Sequence, residues 1–287
     1  VRARLQEQVA ELKYRDPLVR RNVPDAVHTM RVAMRRLRSA LATFRPLLDR
    51  EQTEPVREEL KWIASVLGAA RDAEVMHQRL SELIAEQPVE LVIGPVKQRI
   101  DRELRAAYRT AHERSVEAMQ SERYFALVDR LDALVADPPW TPKASQTVES
   151  VLSARVARDY RRLRRRVAAA DQAHDTATRN ERLHEVRKAA KRARYAAEAM
   201  VPVYGRPAKR FAKAAKRVQS ILGDQHDAVV AQSELREIGV RTYLDGENPY
   251  TYGLLQGIEQ ANAAALDAKY RRAWKRASRK SLRRWLR

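Results

Sequence analysis

Two histidines each stand at the head of a row of cations. Val27–Leu41 reads VHTMRVAMRRLRSAL, and Leu183–Ala197 reads LHEVRKAAKRARYAA. In register, His28 matches His184, Arg31 matches Arg187, Arg36 matches Arg192 and Arg38 matches Arg194, while Lys191 stands where the first copy has Arg35. Groups of these types at this density suit the capture of an anion. Arginine offers a planar fork of donors to phosphate oxygens, lysine a point charge, and histidine a donor whose charge changes near neutral pH.

Helical spacing sorts each strip into two faces. At 3.6 residues per turn, His28, Arg31, Arg35 and Arg38 fall within an arc of roughly 80°. Val27, Met30, Met34, Leu37, Leu41 and Phe44 form a neighbouring apolar stripe with core-facing rhythm. The second strip repeats this, with His184, Arg187, Lys191 and Arg194 beside Leu183, Val186, Ala190, Ala193, Ala197 and Met200. Its alanines favour close approach of a neighbouring helix. An ordinary solvated face mixes signs, with Glu four residues before Lys or Arg. Neither arc contains a carboxylate, and like charges at these spacings cost roughly 0.2–0.5 kcal/mol per pair. That arrangement, made twice, points to a counter-charge supplied from elsewhere.

A second pair of motifs lies downstream. Lys61, Ser65, Gly68 and Asp72 share one helical face, as do Lys216, Ser220, Gly223 and Asp227. Glycine in mid-helix costs about 1 kcal/mol relative to alanine. Its presence in both copies implies close approach, most simply a tight helix crossing, otherwise a ligand. Asp72 and Asp227 are expected to orient a nearby Arg or His, because one carboxylate per copy is a poor cation site. Lys209 and Lys213 extend the Lys216 face, whereas Glu54 and Glu58 occupy the matching region of the first copy. The two copies should therefore bind unequally.

The elements that must carry these rows are helices. Hydrophobic residues make up 44% and charged residues 33% of the 287, with only 8 Gly, which suits a packed all-α protein. The expected helices cover Arg2 to about Tyr14, the His28 segment from Pro24 to before Pro46, and Thr53 (as N-cap) to about Glu86. Gly94-Pro95 opens another, and Ser121 caps Glu122 to Ala136. DPPWTPKAS, Asp137–Ser145, reads as a linker. Beyond it come a basic helix from Thr147 to Ala170, the His184 helix, a long helix from Pro207 to about Ile238, a turn-rich stretch to Asn248, and a last helix ending in a basic tail. Landmarks stay in phase across the halves: His28 and His184 are 156 residues apart, Gly68 and Gly223 155, Pro95 and Pro249 154. The expected organisation is a duplicated helical bundle, with a first repeat over 1–136, a linker over 137–146 and a second repeat over 147–287.

Charge narrows the partner. Net charge is +20, which favours nucleic acid, polyphosphate or an acidic membrane surface. The absence of cysteine excludes disulfides and thiolate metal sites. No apolar run reaches membrane-spanning length and no signal-peptide core is present, so a cytoplasmic location is expected. A chain opening at valine is expected to be a domain of a longer protein.

The H-x-x-R-x-x-x-R-R-x-R pattern at His28, nearly repeated at His184, with L-G-x-x-R/H-D ending at Asp72 and Asp227, resembles the conserved histidine α-helical (CHAD) family over essentially the whole chain. The resemblance implies two pseudo-symmetric four-helix bundles with a basic groove or pore between them, binding inorganic polyphosphate. Carried over by motif, the contacts are His28, Arg31, Arg35, Arg36, Arg38 and Lys61, then His184, Arg187, Lys191, Arg192, Arg194 and Lys216, with Lys209 and Lys213 beside them. Some members of the family follow a triphosphate-tunnel (CYTH) domain, and an association with polyphosphate granules is in keeping. His226 departs from the repeat, where the first copy has Arg71. A histidine among arginines resists protonation and a bound phosphate favours it, so affinity is expected to rise as pH falls from about 7.5 to 6.

Nucleic-acid binding is the chief alternative. Stacking platforms would favour more aromatic residues than the 6% present, and these lie largely away from the strips. The tail Lys269–Arg287 could touch DNA or anionic lipid, or could be a solvated helix end. No phosphate-binding G-x-x-x-x-G-K-[ST] loop, H-E-x-x-H helix or paired-carboxylate site occurs. A phosphotransfer bundle needs one reactive imidazole, not two set in arginine rows. His77, His112 and His174 stand alone. The expectation is a non-catalytic protein that uses no cofactor and no metal.

Overall fold

The computed structural model describes residues 1–286, with side chains throughout except at 148–150 and 152. Ten α-helices are present among the described residues: α1 Arg2–Arg20, α2 Ala26–Thr43, α3 Arg50–Ala85, α4 Val96–Met119, α5 Glu122–Ala136, α6 Val148–Asp171, α7 Thr176–Ala199, α8 Val201–Tyr204, α9 Arg206–Leu244 and α10 Tyr250–Ala277. A 3-10 segment, Lys280–Leu286, closes the described chain. The fold is all-α, as the sequence indicates.

The apolar stripes become the core. Met30, Met34, Leu37 and Leu41 of α2 are fully buried, as are Val186, Ala190, Ala193 and Met200 in and after α7. The α7 alanines bring α9 close, and α9 in turn packs along α10. Ser121 caps α5 by accepting from the Tyr124 N–H.

Several boundaries differ from expectation. α1 runs past Tyr14 and carries Pro17 inside it. α2 begins at Ala26 after Asp25, whose φ of 59° turns the chain, so Pro24 precedes the helix instead of opening it. α3 starts at Arg50 because Asp49 accepts the Glu51 N–H, while the Thr53 hydroxyl donates to the Asp49 carbonyl from inside the first turn. α9 continues through Gly239 to Leu244, since Ile238 and Thr242 are buried along the helix axis. Arg287, the last residue of the basic tail, lies outside the described residues.

The compact units are not the linear halves. One comprises Val1–Val75 with Glu103–Leu152, the other Met76–Arg102 with Ser153–Arg287. These units cut across the expected repeats at both ends, for identifiable reasons. The segment 137–146 is tied into the first unit: Leu48 and Trp140 form an antiparallel bridge, and the Thr141 hydroxyl donates to the Pro46 carbonyl at 2.7 Å. Residues 76–102 belong to the second unit. There Arg79 forms a two-pronged ion pair with Glu259, a carboxylate only 1% exposed, and the Ile93 N–H donates to Thr251. Arg99, itself buried, pairs with Asp245 and Glu247.

Candidate functional site

In the first unit, α2 and α3 build one site around Gly68. Arg31 donates to the Gly68 carbonyl at 3.1 Å and to Asp72 Oδ1 at 3.3 Å. A Cβ placed on Gly68 would lie 3.3 Å from Arg31 Nη2. What comes close to this glycine is therefore a guanidinium, and neither a helix backbone nor a ligand is needed to explain its small size. One turn before Arg31, half-buried His28 has its pKa lowered, first by burial, then by Arg71 and Arg35, with Arg31 adding to them and Asp25 opposing. Arg71 is held by Glu74 at 2.6 Å. Arg35, Arg36 and Arg38 continue the row, each half-buried.

The second unit repeats the arrangement with α7 and α9. A Cβ on Gly223 would lie 3.5 Å from Arg187 Nε, an ordinary contact. Asp227 is pushed toward its neutral form by burial, against the pull of Arg187, His226 and Arg79. At the head of the row, His184 is held down to about 4, by burial first and then by His226, Lys188 and Arg187; Glu185 opposes. Its Nδ1 is buried without a hydrogen-bond partner among the described residues. The His226 ring sits 4.3 Å from the His184 ring, which gives the departure at position 226 a structural role.

Not every expected contact keeps its charge for a ligand. Arg194 donates to Glu198 at 2.8 Å and to Gln219 at 3.1 Å, and lies over the Tyr195 ring. Arg31 likewise has Asp72. The missing counter-charge is thus partly internal: the neighbouring helix supplies it for Arg31, and the next turn supplies it for Arg194. Lys61 is exposed and paired with Glu58 at 3.1 Å, while Glu54 holds Arg57. Lys209, Lys213 and Lys216 are exposed on the first half of α9, with no acid among those turns. Glu54 and Glu58 thus pair with Arg57 and Lys61 in the first copy, where the matching turns of α9 hold no acid.

Sequence reasoning passed over α6. Asp159 is buried and pushed toward neutrality by that burial, against Arg155, Arg162, Arg192 and Arg158. Arg192 of the α7 row therefore belongs to a cluster with three α6 arginines. The signal was available, for Asp159 is the only acid between Glu149 and Asp171 in the densest cation run of the chain. Two histidines set aside as solitary also have partners: His77 meets Asp101 at 2.6 Å, and His112 meets the Val19 carbonyl at 2.8 Å.

Among the described residues no cluster of His, Cys, Asp and Glu could hold a metal ion, and no helix is long and apolar enough to cross a membrane. Each unit carries a row of cations headed by an imidazole whose protonation is disfavoured by burial first and by neighbouring cations second.

Comparison with known proteins agrees with the helical architecture. PptA from Streptomyces chartreusis superposes with a TM-score of 0.77 at 24% identity, covering 96% of this chain and 97% of that one. The CHAD domain from the plant Ricinus communis gives 0.68 at 24% identity, covering 95% and 89%. An uncharacterized protein of Mycobacterium tuberculosis, MT2285 in one strain and Rv2226 in another, is 38% identical over 252 residues. That alignment takes in 87% of this chain but 47% of the relative, so the chain spans about half the length of the curated relatives it matches. The CHAD domain profile matches residues 3–236, and the chain belongs to the CHAD domain family.

Proposed function

We propose that this protein binds inorganic polyphosphate, without chemical turnover, along the cationic rows of α2 and α7. The observation that carries this reading is the placement of the cations: Arg35, Arg36 and Arg38 continue the His28 row on α2, and Lys209, Lys213 and Lys216 stand exposed on α9 with no acid among those turns. Burial is the main cause that lowers the His28 and His184 pKa values, and the surrounding cations add to it, so positive potential at the head of each row is available to an anion. Rows with one helical turn (about 5.4 Å) between cations suit a chain whose charges repeat at short intervals better than a single phosphate. Lys209, Lys213 and Lys216 extend the cationic surface of the second unit. A triphosphate-tunnel (CYTH) domain, fused or associated, and cytoplasmic polyphosphate granules are the partner and setting that this reading proposes.

The test is competition at physiological salt between labelled long-chain polyphosphate and duplex DNA, single-stranded RNA or short phosphates. Preference for polyphosphate is expected. Salt dependence does not discriminate, because every polyanion that releases counterions gives a steep slope. In the same assay, Arg35→Ala with Lys191→Ala should weaken binding more than Arg276→Ala with Arg279→Ala in the tail. Equal losses would relocate the site to the tail, and preference for nucleic acid would replace polyphosphate with the alternative partner.

A further inference from the structure

The basic tail folds back against α6. After α10, the 3-10 segment Lys280–Leu286 is anchored by Trp285, whose ring packs 5.0 Å from Tyr204 and 6.3 Å from Phe211. Three residues make one turn of a 3-10 helix, so Lys280, Arg283 and Leu286 share one face. That face borders a cleft of about 240 Å³ whose other wall is α6, through Ala157, Tyr160, Arg161 and Arg164. These α6 residues also lie on one face, at spacings of three, one and three. Two separate elements therefore each contribute two cations to one cleft, over a floor of Tyr160, Ala157 and Leu286, and no lining residue is acidic.

Arg283 is fixed in place before any ligand arrives. Its guanidinium lies 4.1 Å over the Tyr160 ring and donates through Nη2 to the Ser278 carbonyl at 2.8 Å. Its Nε is buried with no hydrogen-bond acceptor among the described residues. Tyr160 is itself clamped between Phe211 and Trp274. A guanidinium held in place by packing loses little freedom on meeting an oxyanion. Arg161, Arg164 and Lys280 are exposed, so their charges can close on it. A cleft of one sign concentrates counter-ions. Its volume lies below that of a drug-sized pocket, which favours a compact, highly charged ligand.

We infer that the cleft between α6 and the C-terminal 3-10 segment binds a compact triphosphate group, at a site separate from the α2 and α7 rows. The group can come from inorganic tripolyphosphate or from the triphosphate of a nucleotide. The inference does not depend on long-chain polyphosphate occupying the rows.

The experiment is isothermal titration calorimetry of the full chain with inorganic tripolyphosphate and, separately, ATP. The starting variant is Arg35→Ala with Lys191→Ala, which weakens the rows. Saturable one-to-one binding of tripolyphosphate should persist. Adding Arg164→Glu with Lys280→Glu should weaken it at least about tenfold, whereas the equal charge change Arg272→Glu with Lys275→Glu on α10 should weaken it less than about threefold. All four positions are exposed, and circular dichroism checks that each variant keeps its helices. Equal losses from the two reversals would reduce the cleft to general positive charge and overturn the inference. So would an absence of saturable binding in the starting variant. ATP binding as tight as tripolyphosphate would uphold the cleft and identify the source as a nucleotide; weaker ATP binding would uphold it and identify the inorganic ion.

Discussion

At His184 two influences act in the same direction. Burial and the neighbouring His226, Lys188 and Arg187 all disfavour the imidazolium, and the pKa falls from the ordinary 6.5 to about 4. Between those two values the unfolded chain binds the proton and the folded chain does not. Stability from this group is therefore present above about 6.5 and declines as pH falls toward 4. An anion at the site reverses the balance by favouring the charged ring, so binding should draw a proton onto His184. Calorimetry near pH 6 in two buffers of different ionisation enthalpy should show net proton uptake in the wild type and less in His184→Gln. Affinity should rise from pH 7.5 to 6, and a flat titration there would remove the histidines from the contact surface. The histidine rows were legible from spacing alone. The partnership of His184 with His226 was not, because the two are 42 positions apart and meet only when α7 packs on α9.

Helix pairing explains why glycine recurs at matched places. Arg31 reaches over α3 to the Gly68 carbonyl, and Arg187 lies against Gly223 on α9. The two contacts are alike in kind but not in tightness. Gly223→Ala meets its neighbour at ordinary contact distance and should gain about 1 kcal/mol from better helix propensity. Gly68→Ala brings a Cβ within 3.3 Å of Arg31 Nη2, so the guanidinium must shift by a few tenths of an ångström and strain its Nη1 hydrogen bonds, each of about 1.5–3 kcal/mol; that variant should be less stable than the wild type. Urea unfolding of the two variants measures this; stabilisation of both would mean that Arg31 moves aside without loss. The sequence marked these glycines as sites of close approach, but the identity of the approaching group required two helices in contact. The same holds for Asp159, whose arginine neighbours come from both α6 and α7.

At the scale of the whole chain, the linear halves and the compact units part company. Glu259 is buried against Arg79, and leaving such a carboxylate unpaired costs roughly 3–5 kcal/mol. Residues 147–287 expressed alone lack Arg79, Ile93 and Arg99, and residues 1–136 carry them without their partners. Both fragments should melt below the full chain, and in 147–287 the unpaired Glu259 alone should lower the melting temperature by roughly 6 °C or more. Circular dichroism melts matching the full chain would instead support 137–146 as the boundary between independently folding halves.

Composition and helical period determined the fold class, the buried stripes of α2 and α7, and the cationic rows beside them. These follow from residues within a few turns of each other, where 3.6-residue geometry alone decides which side chains share a face. Tertiary structure decided which cations are already neutralised, what fills the space above Gly68, where residues 76–102 belong, and that the tail returns to α6. Each of those depends on partners far apart in sequence, and an ion pair or an aromatic contact between distant helices leaves no periodic trace along the chain.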